Sequence, residues 1–100
     1  MKEYVYYVYI LTNKSNNRFY IGMTNDIYKR YLEHKTKINP NSFTSTYNIN
    51  KLVYYEMYQY VQEAILREKE LKGWRREKKI NLITSENIKF LDLMEDGELT

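Results

Sequence analysis

Cysteine is absent from the 100-residue chain, and histidine occurs once, as His34. Without Cys there is no disulfide scaffold, thiol nucleophile or Cys-ligated zinc, which fits a reducing compartment. With one His there is no multi-histidine metal cage, and any Ser-His triad would have to use His34. Three Gly and one Pro exclude collagen-like and low-complexity chains. No apolar run approaches the roughly 20 residues that span a bilayer, and the N-terminus lacks a basic segment followed by a cleavable apolar one. A cytoplasmic protein with no membrane partner is therefore expected.

Of the residues present, 43% are hydrophobic, enough for the single core that a chain of this length can enclose. Tyrosine dominates the aromatics, with 12 copies. Charge is unevenly spread: residues 1 to 85 hold 15 Lys and Arg against eight Asp and Glu, whereas residues 86 to 100 hold one Lys and five acids. A basic body suits a polyanion, and nucleic acid is the commonest one. The expected organisation is a domain over residues 4–93 and an acidic C-terminal tail over residues 94–100, frayed at its end.

Two β-branched and aromatic runs, Tyr4 to Leu11 and Arg18 to Met23, flank the turn-forming Asn13 to Asn17 and predict a hairpin. Period two puts Val5, Tyr7, Tyr9 and Leu11 on one strand face, and Tyr20 with Gly22 on one face of the second. After the cap-forming Thr24-Asn25-Asp26, Ile27 to Lys35 has helical spacing, with Ile27, Tyr31 and His34 on one side. Residues 36–50 read as a polar connection. A third strand is predicted at Lys51 to Tyr58, then a helix over Val61 to Lys72 with Val61, Ala64, Ile65 and Leu71 as its buried stripe, and another helix over Trp74 to Ile83.

Glu68 falls on that stripe, whereas Glu63, Glu70 and Glu77 occupy solvated positions. A carboxylate on a core-facing stripe is costly unless paired or metal-bound. An internal ion pair is one reading, and a ligand for a hard cation such as Mg²⁺ is the other. Arg30 and His34, at i and i+4, project together, which is ordinary on a solvated basic helix. If they share a cleft with Glu68, they suit phosphodiester chemistry, Arg30 stabilising charge on the phosphate and His34 donating or relaying a proton. Tyr9 and Tyr20 lie on neighbouring strands, where tyrosines usually pack but where their hydroxyls could also meet.

Together, Tyr7-Val8-Tyr9, Tyr20-Ile21-Gly22, Arg30, His34 and Glu68 match in order and spacing the GIY-YIG nuclease superfamily, which the sequence resembles over about residues 4–93. The phrase running through Tyr54-Tyr55-Glu56, Glu63-Ala64, Arg67-Glu68-Lys69, Trp74-Arg75-Arg76 and Lys79 resembles its small standalone YhbQ-like group. The resemblance implies an α+β fold with a small three-stranded antiparallel sheet flanked by helices, and a metal-dependent endonuclease acting on DNA in repair or processing. Carried over, Tyr9 helps activate water with Tyr20 as partner, Arg30 and His34 contact the scissile phosphate, and Glu68 holds Mg²⁺ or Mn²⁺. Gly22 lets the backbone pass close to substrate. Tyr7 stands where the family name has Gly. Asn87 is the candidate for the late Asn of many members, although Ile88 and Phe90 replace the Pro and Trp that accompany it in similar proteins.

Arg18, Lys29, Lys35, Lys37 and Lys51 are expected to form a positive rim for DNA, and a monomer is the expected state. Two other classes compete with hydrolysis. One is a nucleic-acid-binding module of the same fold without significant cleavage. The other is a protein-interaction adaptor using the tyrosine-rich surface.

Overall fold

The computed structural model describes residues 5–95 and 97–100. The two apolar runs form β1 (Tyr6–Thr12) and β2 (Phe19–Thr24), antiparallel with Tyr9 opposite Gly22 and Leu11 opposite Tyr20. Asn13 closes the connection, its side-chain oxygen accepting the N–H groups of Asn17 at 3.0 Å and Arg18 at 3.3 Å. Asn16 takes the left-handed conformation, φ 56°, which Asn tolerates better than most residues. Tyr4, placed in the first strand by its side-chain type, lies outside the described residues.

β3 (Lys51–Tyr58) pairs antiparallel with the other side of β1, giving the order β2-β1-β3 and leaving β2 at an edge. The register shifts between Ile10 and Leu11. As a result the consecutive residues Val53 and Tyr54 both join Val8, Ile10 and Ile21 in one core cluster, as an extra residue in a strand allows. The α+β fold with a three-stranded antiparallel sheet flanked by helices is thus present.

Both faces of β1 are covered. Val8 and Ile10 pack under Ala64 and Leu71 of α3 (Val61–Lys72) and Ile83 of α4 (Arg76–Glu86). Tyr9 and Leu11 pack with Ile27 of α1 (Ile27–Lys35), with Ile49, Leu52 and Met94, and with the partly buried Tyr7. Val5, expected on the same face, is exposed. Asp26 caps α1, accepting the Lys29 N–H at 3.1 Å, and Tyr31 and His34 share the half-buried side of that helix with Ile27.

The connection over residues 36–50 is more ordered than its polarity suggests. A single helical turn, α2 (Phe43–Thr46), is capped by Ser42 and followed by the fully buried Ile49. In α3 the bounds are as expected but the stripe is not: Ile65 is exposed, and Arg67 turns inward instead. Arg67 has a partner there, because Tyr54, Glu56 and Tyr58 alternate onto the α3 side of β3. It donates to both Glu56 carboxylate oxygens at 2.8 Å, while Tyr58 donates to one of them at 2.6 Å and Tyr54 to the other at 2.5 Å. Burial opposes ionisation of Glu56, yet the bonds from Arg67, Tyr54 and Tyr58 overcome it and hold its carboxyl below the usual range.

The acidic end is folded back rather than frayed. Asp92 accepts the N–H groups of Leu52 at 3.3 Å and Met94 at 3.1 Å, and Tyr31 donates to its other oxygen at 2.7 Å. Beyond it, β4 (Met94–Glu95) and β5 (Glu98–Leu99) pair antiparallel, with Met94 buried. Net charge concealed this, because the segment is held by the Asp92 carboxylate, by the apolar Leu93, Met94 and Leu99, and by backbone bonds from Leu93 to Leu52 and from Thr100 to Leu93.

Arg67→Met is expected to cost about 2–3 kcal/mol, since it leaves a half-buried carboxylate without its cation. The Glu56 contribution is present above the ordinary carboxylate range and lost as pH falls through the depressed value. In urea unfolding the gap between variant and wild type should therefore narrow in acid. An equal gap at all pH values would place the cost in lost packing.

Candidate functional site

Tyr9 lies buried behind a cleft that Tyr20, Arg30, Glu33 and His34 line, its ring 6.3 Å from those of Tyr20 and His34. It is 2% exposed, and antiparallel pairing puts its side chain on the same sheet face as Gly22 and Tyr20. A Cβ at position 22 would lie 2.5 Å from the Tyr9 hydroxyl oxygen and 3.0 Å from the Tyr20 ring. Gly22 is thus needed for room: the phenol lies across its backbone toward the β2 edge. The Tyr9 and Tyr20 rings are 6.3 Å apart by centroid, and among the described residues no direct hydrogen bond joins their hydroxyls.

α1 supplies the next wall. The His34 ring stands 6.3 Å from Tyr9, edge-on, and 5.5 Å from Tyr20. Arg30 and Glu33 share the cleft with His34, and their side chains lie 4.0 Å apart. α2 and the residues before it close the far side through Ser42, Phe43 and Thr44. His34 Nδ1 is 3.0 Å from the Thr44 hydroxyl, while its Nε2 is buried with no hydrogen-bond partner among the described residues. Nearly all buried polar atoms have partners, so such an atom in a cleft is a mark of a ligand-facing group.

Glu68, expected to share one cleft with Arg30 and His34 on the Tyr9 side of the sheet, does not: α3 packs on the opposite face and carries it in the other layer. Ala64 and Leu71, four before and three after it, are buried on the α3 side of the sheet, and Glu68 is half-buried between them. Its carboxylate is 3.2 Å from the Lys72 ammonium. From there the Glu68 charge acts on the Tyr9 hydroxyl.

The charges sort the titrating groups. Burial, then Tyr20, Glu68 and Glu33, push the Tyr9 hydroxyl well above the ordinary phenol range, with only Arg30 opposing. Burial, then the Arg30 cation, pull His34 below its ordinary value of 6.5, with Glu33 opposing. At neutral pH the cleft therefore holds a protonated phenol beside a neutral imidazole. Environments that move neighbouring groups in opposite directions separate proton donors from proton acceptors.

The expected rim is only partly free. Arg18 stacks on the Tyr47 ring at 3.9 Å, and Tyr47 lies against Phe43, which lines the cleft. Lys29 and Lys37 are exposed. Lys35 instead pairs with Asp92 at 3.5 Å. Lys51 donates to Asn16 at 2.7 Å and sits on β3, the sheet edge away from β2, so it does not border the cleft. Asn87 is also elsewhere. It ends α4, buried, donating to the Val53 and Leu91 carbonyls at 3.0 and 2.9 Å and accepting the Leu91 N–H at 3.0 Å. Every polar atom of that side chain is used in holding the chain's end to β3.

Some neighbours escaped the sequence reading. Glu33 had a signal, its i,i+3 spacing from Arg30, and Arg76 had one in the Arg75-Arg76 pair. Arg76 lies 5.6 Å from the ring of Phe19 on β2, on the α3 and α4 side of the sheet. Ser42 and Thr44 had none beyond cap chemistry.

Comparison with protein families matches residues 5–81 to the GIY-YIG catalytic domain. This chain belongs to the GIY-YIG family. The domain is that of a family of endonucleases, generally dependent on a divalent metal. Its relatives are small standalone UPF0213 proteins. The chain is 35% identical to one of Staphylococcus saprophyticus over 79% of its own length and 94% of the relative's. It is 37% identical to one of Clostridium perfringens over 83% and 87% respectively. The solution structure of the UPF0213 protein BH0048 of Bacillus halodurans superposes with a TM-score of 0.56 at 27% identity, covering 88% of this chain and 92% of that one. Among the described residues, no helix is long and apolar enough to cross a membrane.

The donor set also bears on the family's metal. Among the described residues no three His, Asp or Glu side chains cluster as a metal cage. One half-buried carboxylate, Glu68, fits a hard ion such as Mg²⁺ or Mn²⁺, which keeps several waters and completes its shell with phosphate oxygens. It does not fit structural zinc.

Gly22→Ala should force the Tyr9 ring off the β2 backbone and cost about 1–3 kcal/mol by overpacking. Urea unfolding and a crystal structure of the variant would check this. Wild-type stability with an unmoved phenol would show that the two residues are not in close contact.

Proposed function

We propose that this GIY-YIG cleft hydrolyses phosphodiester bonds of DNA with Mg²⁺ or Mn²⁺. The observation that most supports the reading is the buried, unpartnered His34 Nε2 in a cleft shared with Tyr20, Arg30 and Glu33. A neutral imidazole there can take a proton from water. Tyr9, held protonated, orients that water or passes its proton on, rather than acting as a free phenolate. This moves proton acceptance from Tyr9, where the family resemblance puts it, to His34. Arg30, near enough for its charge to act on both Tyr9 and His34, stabilises the charge that grows on the phosphate. Glu68 would hold the metal, which when bound supplies positive charge to the phosphate and the leaving oxygen. Arg18, Lys29 and Lys37 hold the DNA backbone.

A binding module without cleavage is the second reading, favoured by one contact: Lys72 lies 3.2 Å from Glu68, where it competes with a metal for the carboxylate. The two readings separate on a panel of labelled DNA structures in Mg²⁺ and Mn²⁺. Cleavage by wild type that disappears in Glu68→Gln, while most DNA affinity remains, is expected. Binding without cutting in either metal selects the second reading, and unimpaired cutting by Glu68→Gln would falsify the metal role. DNA affinity should fall steeply with salt as phosphate contacts release counterions.

The pH profile gives a further test. His34 works neutral and its pKa is lowered, so the rate should climb with pH through a midpoint below 6.5 and then level off. His34→Gln should remove that limb and lower the rate about 100-fold or more. A rate still climbing through the phenol range would instead assign the proton to Tyr9.

A further inference from the structure

The run Trp74-Arg75-Arg76, singled out in the sequence, takes no part in the cleft. It lies at the corner between α3 and α4, on the opposite face of the sheet, where Trp74 packs against the cluster that includes Val8, Ile10 and Leu71. The corner holds a surface cavity of about 360 Å³ lined by Gly73, Trp74, Arg75, Glu77, Lys78 and Asn81. Gly73 ends α3 at φ −81°, where the backbone does not require glycine, and it leaves the wall beside the indole without a side chain. Residues 69–79 carry six Lys and Arg against two Glu. Glu70 is taken by Arg67 at 2.9 Å, so Glu77 is the one acid of this run left to oppose the cations. Lys69, Lys72, Arg75, Arg76 and Lys78 are all exposed.

Two cations lie over the indole, and they differ in how firmly they are held. Arg67, 5.1 Å from the ring centroid, is fixed by Glu56 and Glu70. The Lys78 ammonium is 4.1 Å from the centroid, and among the described residues neither Lys78 nor Arg75 has a carboxylate partner. Lys78 therefore occupies the ring on a flexible stem, at the distance where a flat ligand would stack. An exposed cation–π contact is worth only a few-fold in affinity, whereas a base stacked on an aromatic ring is worth about 5- to 150-fold. A base that displaces the ammonium also brings it a phosphate to meet. We propose that this corner is a second nucleic-acid site, remote from the cleft, where an unpaired base stacks on Trp74 and its phosphates lie against Arg75 and Lys78. The base must be unpaired, because a base inside a duplex already has both faces stacked on its neighbours. The proposal extends the nuclease reading and rests on it only for the choice of DNA as the polymer.

Trp74 is the only tryptophan, so indole fluorescence reports on this corner without ambiguity. The titration is done with a metal chelator present, so that metal-dependent cutting does not interfere. A short single-stranded thymidine oligonucleotide should quench the emission, and an abasic strand of the same length, a blunt duplex and poly-glutamate should each quench it far less. Anisotropy of the labelled oligonucleotide should show Trp74→Leu weakening binding about 5- to 150-fold, with Trp74→Phe keeping most of the affinity. Arg75→Gln combined with Lys78→Gln changes two exposed side chains and leaves the core intact. It should lower affinity and make the slope of log affinity against log salt shallower by about 1.4. Equal quenching by the abasic strand or the duplex overturns the stacked, unpaired base, and equal quenching by poly-glutamate assigns the corner to an acidic protein instead. No quenching by the oligonucleotide, or wild-type affinity and salt slope in the doubly substituted protein, also overturns the proposal. Absence of DNA cutting in Mg²⁺ and Mn²⁺ would count against the nuclease reading alone, since the fluorescence and anisotropy are read without metal.

Discussion

The cleft depends on the close approach of the Tyr9 hydroxyl to the backbone of Gly22. β1 is covered on both faces, so a tyrosine on it has nowhere to go but along the sheet, and the neighbouring strand must lack a side chain at the point where the phenol passes. That requirement determines much else. It sends the hydroxyl across the Gly22 backbone toward the β2 edge. It also leaves the ring largely desolvated, so the hydroxyl stays protonated.

Two polar clusters, one on each face of the sheet, show opposite electrostatic designs. On the α3 side Glu56 receives four hydrogen bonds from three side chains, and Arg67 is spent almost wholly on it. Such a network fixes the helix against the strand and has no capacity left for a ligand. On the α1 side, by contrast, Arg30 meets Glu33 only at 4.0 Å, and His34 has one nitrogen satisfied and one not. The unsatisfied cluster is the one that can respond to a phosphate, and the satisfied one supplies the rigidity it needs.

Most of the fold could be read from side-chain type and spacing. Tyr9, Tyr20, Arg30 and His34 come together because period two and period 3.6 place them on faces that the antiparallel pairing brings to one cleft. Glu68 was legible from its position between Ala64 and Leu71. What could not be read depends on partners far apart in the chain. The inward turn of Arg67 is one such feature, because Glu56 is visible as its partner only once β3 lies under α3. Lys51 and Lys35 looked available for DNA and Asn87 for the family's late Asn, yet each is engaged by a residue that folding brings to it: Asn16, Asp92, and the backbone around Val53 and Leu91.

The residues around Thr44 show the same limit on a smaller scale, and they bear on how the cleft works. A Ser-rich connection has no hydrophobic period to mark it, so its single helical turn is set by one cap bond rather than by a buried stripe. That cap bond fixes Ser42, whose hydroxyl is 3.2 Å from that of Thr44, and Thr44 in turn lies 3.0 Å from His34 Nδ1. Burial and Arg30 keep the ring neutral, but neutrality alone would allow either tautomer. The ring is therefore under two constraints: burial and the Arg30 cation of α1, which remove its charge, and the Thr44 hydroxyl of α2, which holds its Nδ1 edge in place.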